Sequence, residues 1–458
     1  MHDVVNPFDL SIIASVATAD WGTIDGFLER AKELAEDRDA WMKPHERRAI
    51  LKRAANIMQD RFEHLAFQIA NEGGKPLIDA RVEVARAING VELCVEELGN
   101  LRGTEIPMGQ TSAGDGRFAW TVREPIGPVV AISAFNHPLN LIVHQVGPAV
   151  ATGCPVIVKP AGDTPLSCFE FVSILHEAGL PEDWCKAVLC DLDVAEQMVT
   201  DPRVAFFSFI GSARVGWMLR SKLAPGTRCA LEHGGVAPVI VDETANLAAA
   251  VPSLVKGGFY HSGQVCVSVQ RVFAHASIID DLAARMTSAV TALKVGNAIN
   301  EDTECGPLIR PGECERVAQW VDEAVEVGAQ VLCGGKKLSD TTYAPTLLLN
   351  PPADATISRN EVFGPVVCLY PYEDVDAAIA QANALDASFQ AAVFTKDLNA
   401  AMHVYRHINA SAVMVNDHSA FRVDWMPFAG LKTSGHGVGG IAYTMEDMTI
   451  EKMIIIKN

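Results

Sequence analysis

At 458 residues the chain is too long for one ordinary core, so two or three domains are expected. Its 49% hydrophobic and 20% charged residues describe a globular protein, not a disordered one. A net charge of −19 argues against nucleic acid as a partner, since such binders need a positive surface, but it permits a local positive pocket.

Met1-His2-Asp3 opens no basic-then-apolar leader, and no apolar run approaches the ~20 residues that cross a bilayer. No membrane partner and a cytoplasmic location are expected. Eleven dispersed cysteines without a CxxC pair read as reduced thiols. No HExxH or Cys/His cluster points to a metal.

In chain order, residues 25–100 read as helix-rich, with apolar residues near a 3.6 period over 47–70 and 77–98. Glycines and Pro107 then break the pattern, and residues 118–123 alternate like a strand. From Pro128 strands and helices alternate: strands at 129–133, 155–159, 187–189 and 204–208, helices at 139–150 and 165–178. Such repetition implies a parallel sheet covered by helices on both faces. A second α/β series begins after Gly235, with strands at 239–241, 272–274, 391–394 and 412–416. The apolar run 451–457 reads as a terminal strand that must pair somewhere.

Several motifs carry chemistry. Phe209-Ile210-Gly211-Ser212-Ala213-Arg214-Val215-Gly216 joins a strand to a helix, either as a phosphate-bearing turn or as an ordinary one. Lys159 ends a strand where open sheets bind ligands, or else snorkels at an edge. Cys266 follows Phe259-Tyr260-His261-Ser262-Gly263-Gln264-Val265. Glu232 stands in Leu231-Glu232-His233-Gly234-Gly235, and Asn136 in Ala134-Phe135-Asn136-His137-Pro138. A thiol nucleophile, a carboxylate base and an amide donor form the set needed to oxidise an aldehyde through a thioester. Taken singly, Asn136 also suits a turn and Glu232 a solvated strand end.

These segments, in this order, resemble the aldehyde dehydrogenase superfamily over nearly the whole chain. Glu361-Val362-Phe363-Gly364-Pro365 and Pro427-Phe428-Ala429-Gly430 with Ser434-Gly435 resemble its later signatures, with Ala429 in place of a glycine. The resemblance implies an α/β aldehyde dehydrogenase fold: a Rossmann-like cofactor domain (1–105 and 126–234), an α/β catalytic domain (235–440) and a β oligomerisation arm (106–125 and 441–458). It implies Cys266 as nucleophile, Asn136 as oxyanion donor and Glu232 as the base that activates water. NAD or NADP would be held by Ser133, Phe135, Lys159, Gly211, Ser212, Gly216, Glu361 and Phe363. Gly162 stands where many NAD-preferring members carry a glutamate, leaving room for NADP. Val438-Gly439 replaces the Arg-Glu of many members, so a glutamate that relays protons in some of them is missing.

Arg86, His137 and Arg422 resemble the substrate contacts of members taking lactaldehyde, succinate semialdehyde or phosphonoacetaldehyde. Arginine forks suit a carboxylate or phosphonate, while interdomain ion pairing is the other reading of Arg86 and Arg422. The terminal strand would pair with another subunit, giving a homodimer or homotetramer. The competing activities are CoA acylation on the same fold, which Glu232 opposes, and a cysteine hydrolase using Cys266 with His261 or another histidine. A non-catalytic structural role is the third, opposed by the intact Cys266, Glu232 and Asn136.

Overall fold

The computed structural model describes residues 1–458. It opens with a hairpin, β1 (His2–Val5) and β2 (Ile12–Val16), followed by α1 (Trp21–Glu36), α2 (Pro44–Asp60), α3 (Phe62–Gly73) and α4 (Leu77–Glu97). Asp20 caps α1 by accepting from Thr23 N at 2.9 Å. The periodic run over 47–70 is two helices, because Arg61 (φ −100°, ψ 16°) breaks the ladder between α2 and α3. Then come β3 (Glu105–Ile106), β4 (Arg117–Pro125), β5 (Val129–Ile132), α5 (Asn140–Thr152), β6 (Val156–Lys159), α6 (Leu166–Glu177), β7 (Cys185–Ala187), α7 (Leu192–Thr200), β8 (Phe206–Ile210), α8 (Ala213–Arg220) and β9 (Arg228–Glu232). The strand expected at 187–189 lies earlier, because the short turn Glu182–Trp184 sets Cys185 directly beside Val156.

The first large sheet runs Gly435–His436, β9, β8, β5, β6, β7. All its pairs are parallel except that of Gly435–His436 with β9. Helix α5 is buried on every face between this sheet and α4, which explains its unbroken apolar sequence. A second, seven-stranded sheet is built around β10 (Pro238–Val241), which pairs in parallel with Arg271–His275 and Gln390–Phe394. Helix α9 (Leu247–Phe259) packs on that sheet and delivers the chain to Cys266.

The terminal strand Thr449–Lys457 pairs antiparallel with β4 of its own chain along its whole length. Residues 441–447, grouped with the arm on sequence grounds, form a helix packed into the first core, because Ile441 and Met445 belong to its apolar cluster. The resulting three-stranded arm leaves the terminal strand as an edge, with Met453 to Ile456 and Phe118, Trp120 and Val122 exposed. No helix is long and apolar enough to cross a membrane.

Candidate active site

The carboxyl ends of β5, β8 and β9 open onto a cavity of about 600 Å³ that also receives the loop after α9. Asn136, Glu232 and Cys266, far apart in sequence, line it together with Arg86, His137 and Arg422.

Local devices hold each of these residues. Glu83 of α4 accepts from the backbone N–H groups of Leu139 (2.9 Å) and Asn140 (3.1 Å), capping α5 and fixing the turn that carries Asn136 and His137. The buried Lys75 ammonium pairs with the same Glu83. Before Cys266 three residues in succession are left-handed: His261 (φ 46°), Ser262 (φ 55°) and Gly263 (φ 71°). A Cβ on Gly263 would lie 2.1 Å from the Gly364 carbonyl, so only glycine fits. The segment 305–309 clamps this turn: Ser262 Oγ donates to Gly306 O (2.7 Å), and Gln264 Oε1 accepts from Ile309 N (3.0 Å).

Asn136 Nδ2 donates to the Gln264 carbonyl at 2.9 Å, which orients the amide and leaves its second N–H for a ligand. Burial, then the Glu232 carboxylate, pushes the Cys266 thiol well above its ordinary range, while Arg422 pulls it down. Burial likewise raises the Glu232 carboxyl against the pull of Arg422. A Cβ on Gly439 would lie 3.2 Å from Glu232 Oε2, so that glycine leaves the carboxylate its space.

Arg422 Nη1 is 3.7 Å from Glu232 Oε1, its guanidinium carbon lies 3.6 Å over the Phe428 ring, and its buried Nε has no hydrogen bond. Arg86 forks onto Asp424, Nε at 3.0 Å and Nη2 at 2.7 Å. The ion-pairing reading thus holds for Arg86, although it also lines the cavity. Asp424 was not singled out in the sequence. It additionally takes His144 Nε2 at 2.7 Å and Asn140 Nδ2 at 3.3 Å, and the Arg-x-Asp spacing after Phe421 was its one signal. Burial raises the Asp424 carboxyl, but the His144 hydrogen bond and the His144 and Arg86 charges win and hold it far below the carboxylate range. His137 Nε2 lies 3.3 Å from the Tyr260 hydroxyl. His261 is fully buried with both ring nitrogens unpartnered and does not line the cavity, so of the hydrolase bases considered it is not the one beside Cys266.

At the other end, Gly211 and Ser212 lie where β8 enters α8, and Phe135 and Phe363 meet edge to face at 5.7 Å. Ser133 lines the cavity with a buried, unpartnered hydroxyl. Glu361 is packed against Gly234, where a Cβ would lie 1.9 Å from its Oε1; that oxygen is buried without a partner, and burial pushes the carboxyl up to about 8. An unmet acceptor, two aromatic rings and a glycine at a helix N-terminus suit the ribose, ring and phosphates of a dinucleotide. Two expected contacts do not reach the cavity. Gly216 instead makes room for the His233 ring, whose Nδ1 donates to Gly211 O at 2.8 Å. Lys159 sits beyond it at the end of β6, with Nζ 3.4 Å from Pro160 O.

The aldehyde dehydrogenase family model matches residues 1–454. The chain belongs to the aldehyde dehydrogenase family. It is 37% identical to 3-sulfolactaldehyde dehydrogenase from Priestia aryabhattai, over 99% of this chain and 94% of that protein. It superposes with TM-score 0.96 on aldehyde dehydrogenase 21 from Physcomitrella patens in complex with the product succinate, at 35% identity over 100% of this chain and 95% of the other. Glyceraldehyde-3-phosphate dehydrogenase from Methanocaldococcus jannaschii complexed with NADP gives 0.94 and 34%, over 100% and 99%.

Proposed function

We propose that the chain oxidises a small anionic aldehyde to its carboxylic acid with NAD(P)⁺. The observation that carries this reading is Arg422: a buried cation whose Nε makes no hydrogen bond and has the Asp424 carboxylate only at 4.0 Å, lining the same cavity as Cys266. Relatives named for sulfolactaldehyde, or solved with succinate, handle molecules with such an anionic end.

Cys266 Sγ gives up its proton to solvent, the Arg422 charge favouring the thiolate against burial and Glu232, and adds to the aldehyde carbon. The oxygen that becomes negative is met by the free N–H of Asn136 and the Cys266 backbone N–H. Ser133, Phe135, Gly211, Ser212, Glu361 and Phe363 would hold NAD(P)⁺, which would supply the acceptor for the hydride that the adduct loses on becoming a thioester. Glu232 then takes a proton from water, which cleaves the thioester and frees the acid and Cys266. Both forks of Arg86 are taken by Asp424, so Arg422, whose Nε makes no hydrogen bond, and His137 are left to meet the substrate. Residues 1–105 and 126–234 would form the cofactor domain, 235–440 the catalytic domain. The exposed apolar faces of β4 and the terminal strand suit covering by a second copy in a homo-oligomer. Eleven free cysteines suit a reducing compartment such as the cytoplasm.

Absorbance at 340 nm with succinate semialdehyde, 3-sulfolactaldehyde and propanal tests the reading. The anionic substrates should win, and Arg422→Met should erode that preference by about tenfold or more. A wild-type preference for propanal would sink the anionic assignment, and turnover that requires CoA would favour the acylating alternative. Both cofactors should work; a preference for NAD above about 10³ in kcat/KM would mean a repulsive group faces the 2′ position.

A further inference from the structure

Beside the reacting centre the cavity carries a polar pair that neither the thiol chemistry nor the anionic end uses. The Tyr260 hydroxyl and His137 Nε2 lie 3.3 Å apart, and both residues line the cavity with Cys266 and Asn136. That contact is the one hydrogen bond either side chain makes. Burial, then the charges of Lys75 and Arg86, holds the His137 ring well below its ordinary value, so it is neutral. Burial, then the Asp79 charge, keeps the Tyr260 phenol protonated. A neutral imidazole and a phenol bring two polar hydrogens, and the contact between them uses one. Whichever way that hydrogen points, one donor and one acceptor are left over for the cavity. The pair is also held from behind. Lys75 and Glu83 form a buried ion pair; Glu83 fixes the turn that carries His137, and the Lys75 ammonium lies 5.9 Å from the centre of the Tyr260 ring. Lys256, bound to Asp79, stands 4.9 Å over the same ring.

We infer that Tyr260 and His137 together recognise a hydroxyl on the carbon next to the aldehyde, so that the substrate class is the 2-hydroxy aldehydes with an anionic far end. This narrows the proposed function and rests on it. A hydroxyl both accepts and donates, the complement of what the pair leaves over. A methylene does neither and would leave buried polar atoms unmet. His137 directly follows Asn136, the donor to the aldehyde oxygen, and a 2-hydroxyl stands one carbon away from that oxygen's carbon. Arg422 remains for the anion. Three fixed points, at the aldehyde oxygen, the hydroxyl and the anion, also define handedness, so one enantiomer is favoured.

The test compares kcat/KM for the two enantiomers of 3-sulfolactaldehyde and for 3-sulfopropanal, the same anion without the hydroxyl. One enantiomer should exceed 3-sulfopropanal by about 10- to 100-fold, the usual cost of leaving a buried polar group unmet, and should exceed its mirror image as well. Tyr260→Phe and His137→Phe should bring both ratios to within about threefold of unity, the loss falling on the hydroxylated substrate far more than on 3-sulfopropanal. Equal losses on all three substrates would make the pair structural and overturn the inference. A preference that both variants keep would assign the hydroxyl to other groups and overturn it too. The uncharged pair 2-hydroxypropanal and propanal repeats the comparison without the anion. A hydroxyl preference there, with no gain from the sulfonate, keeps the hydroxyl assignment while sinking the anionic one. A preference for the sulfonate, with none for the hydroxyl or its hand, overturns the inference and leaves the anionic reading standing.

Discussion

The two ends of the cavity differ in how far their polar groups are satisfied. At the thiol end Asp424 gathers Arg86, His144 and Asn140, Glu232 lies near Arg422, and Asn136 is held by the Gln264 carbonyl. At the cofactor end Glu361 keeps an oxygen without a partner, as does the Ser133 hydroxyl. Dipoles and charges aimed in advance at the place where charge develops cost no reorganisation during reaction. Buried groups left unmet are costly until something satisfies them. The thiol end is thus set before substrate arrives except at Arg422 Nε, which waits for it, and the cofactor end is completed by what binds there.

Cys266→Ala gives the largest separation of the two ends. Oxidation should fall by about 10⁴ or more, while NADPH binding followed by fluorescence stays within about twofold. Near-wild-type oxidation would break the comparison by removing the thiol from the chemistry. Glu232→Gln divides the thiol end itself. The Glu232 charge raises the Cys266 thiol, so its removal should preserve a burst of NAD(P)H while steady turnover falls by about 10² to 10⁴. Loss of the burst would place Glu232 before the thioester. Asn136→Ala should slow the chemical step by about 10² to 10³, read in single-turnover kinetics; an unchanged rate would remove the amide from the oxyanion site.

The smallest effect lies at the cofactor end and concerns stability. Burial raises the Glu361 carboxyl to about 8, above its unfolded value, so the folded state holds a proton that the unfolded chain has lost. Stability from this group is fully present below the unfolded pKa and drains away as pH rises towards about 8. Glu361→Gln should therefore melt increasingly above the wild type between about pH 5 and pH 9, measured without cofactor. A constant difference across that range would mean Glu361 is already met by a partner.

Much of this was readable in the sequence. The βαβ alternation from Pro128 gave the first sheet because buried parallel strands are continuous apolar runs flanked by glycine and proline. Cys266, Glu232 and Asn136 stood out because their flanking glycines and prolines mark special backbone. Asp424 did not, since a lone aspartate carries no mark of the three donors that converge on it from α4 and α5. The packing of the His233 ring on Gly216 was not legible for the same kind of reason: a glycine against a ring across a helix looks like a glycine kept for a phosphate. The break at Arg61 was hidden because the apolar period resumes in phase beyond it. The pairing of the terminal strand lay over three hundred residues away, where no local pattern reaches.

That last pairing has a consequence for synthesis. β4 waits for Thr449–Lys457, and the first core lacks Ile441 and Met445 until nearly the whole chain has been made. A core whose last pieces arrive at the end keeps apolar surface open throughout translation, when nascent chains are most prone to associate wrongly. A ribosome that stalls, or a message cut short by even the last dozen codons, would release a chain with its arm unzipped.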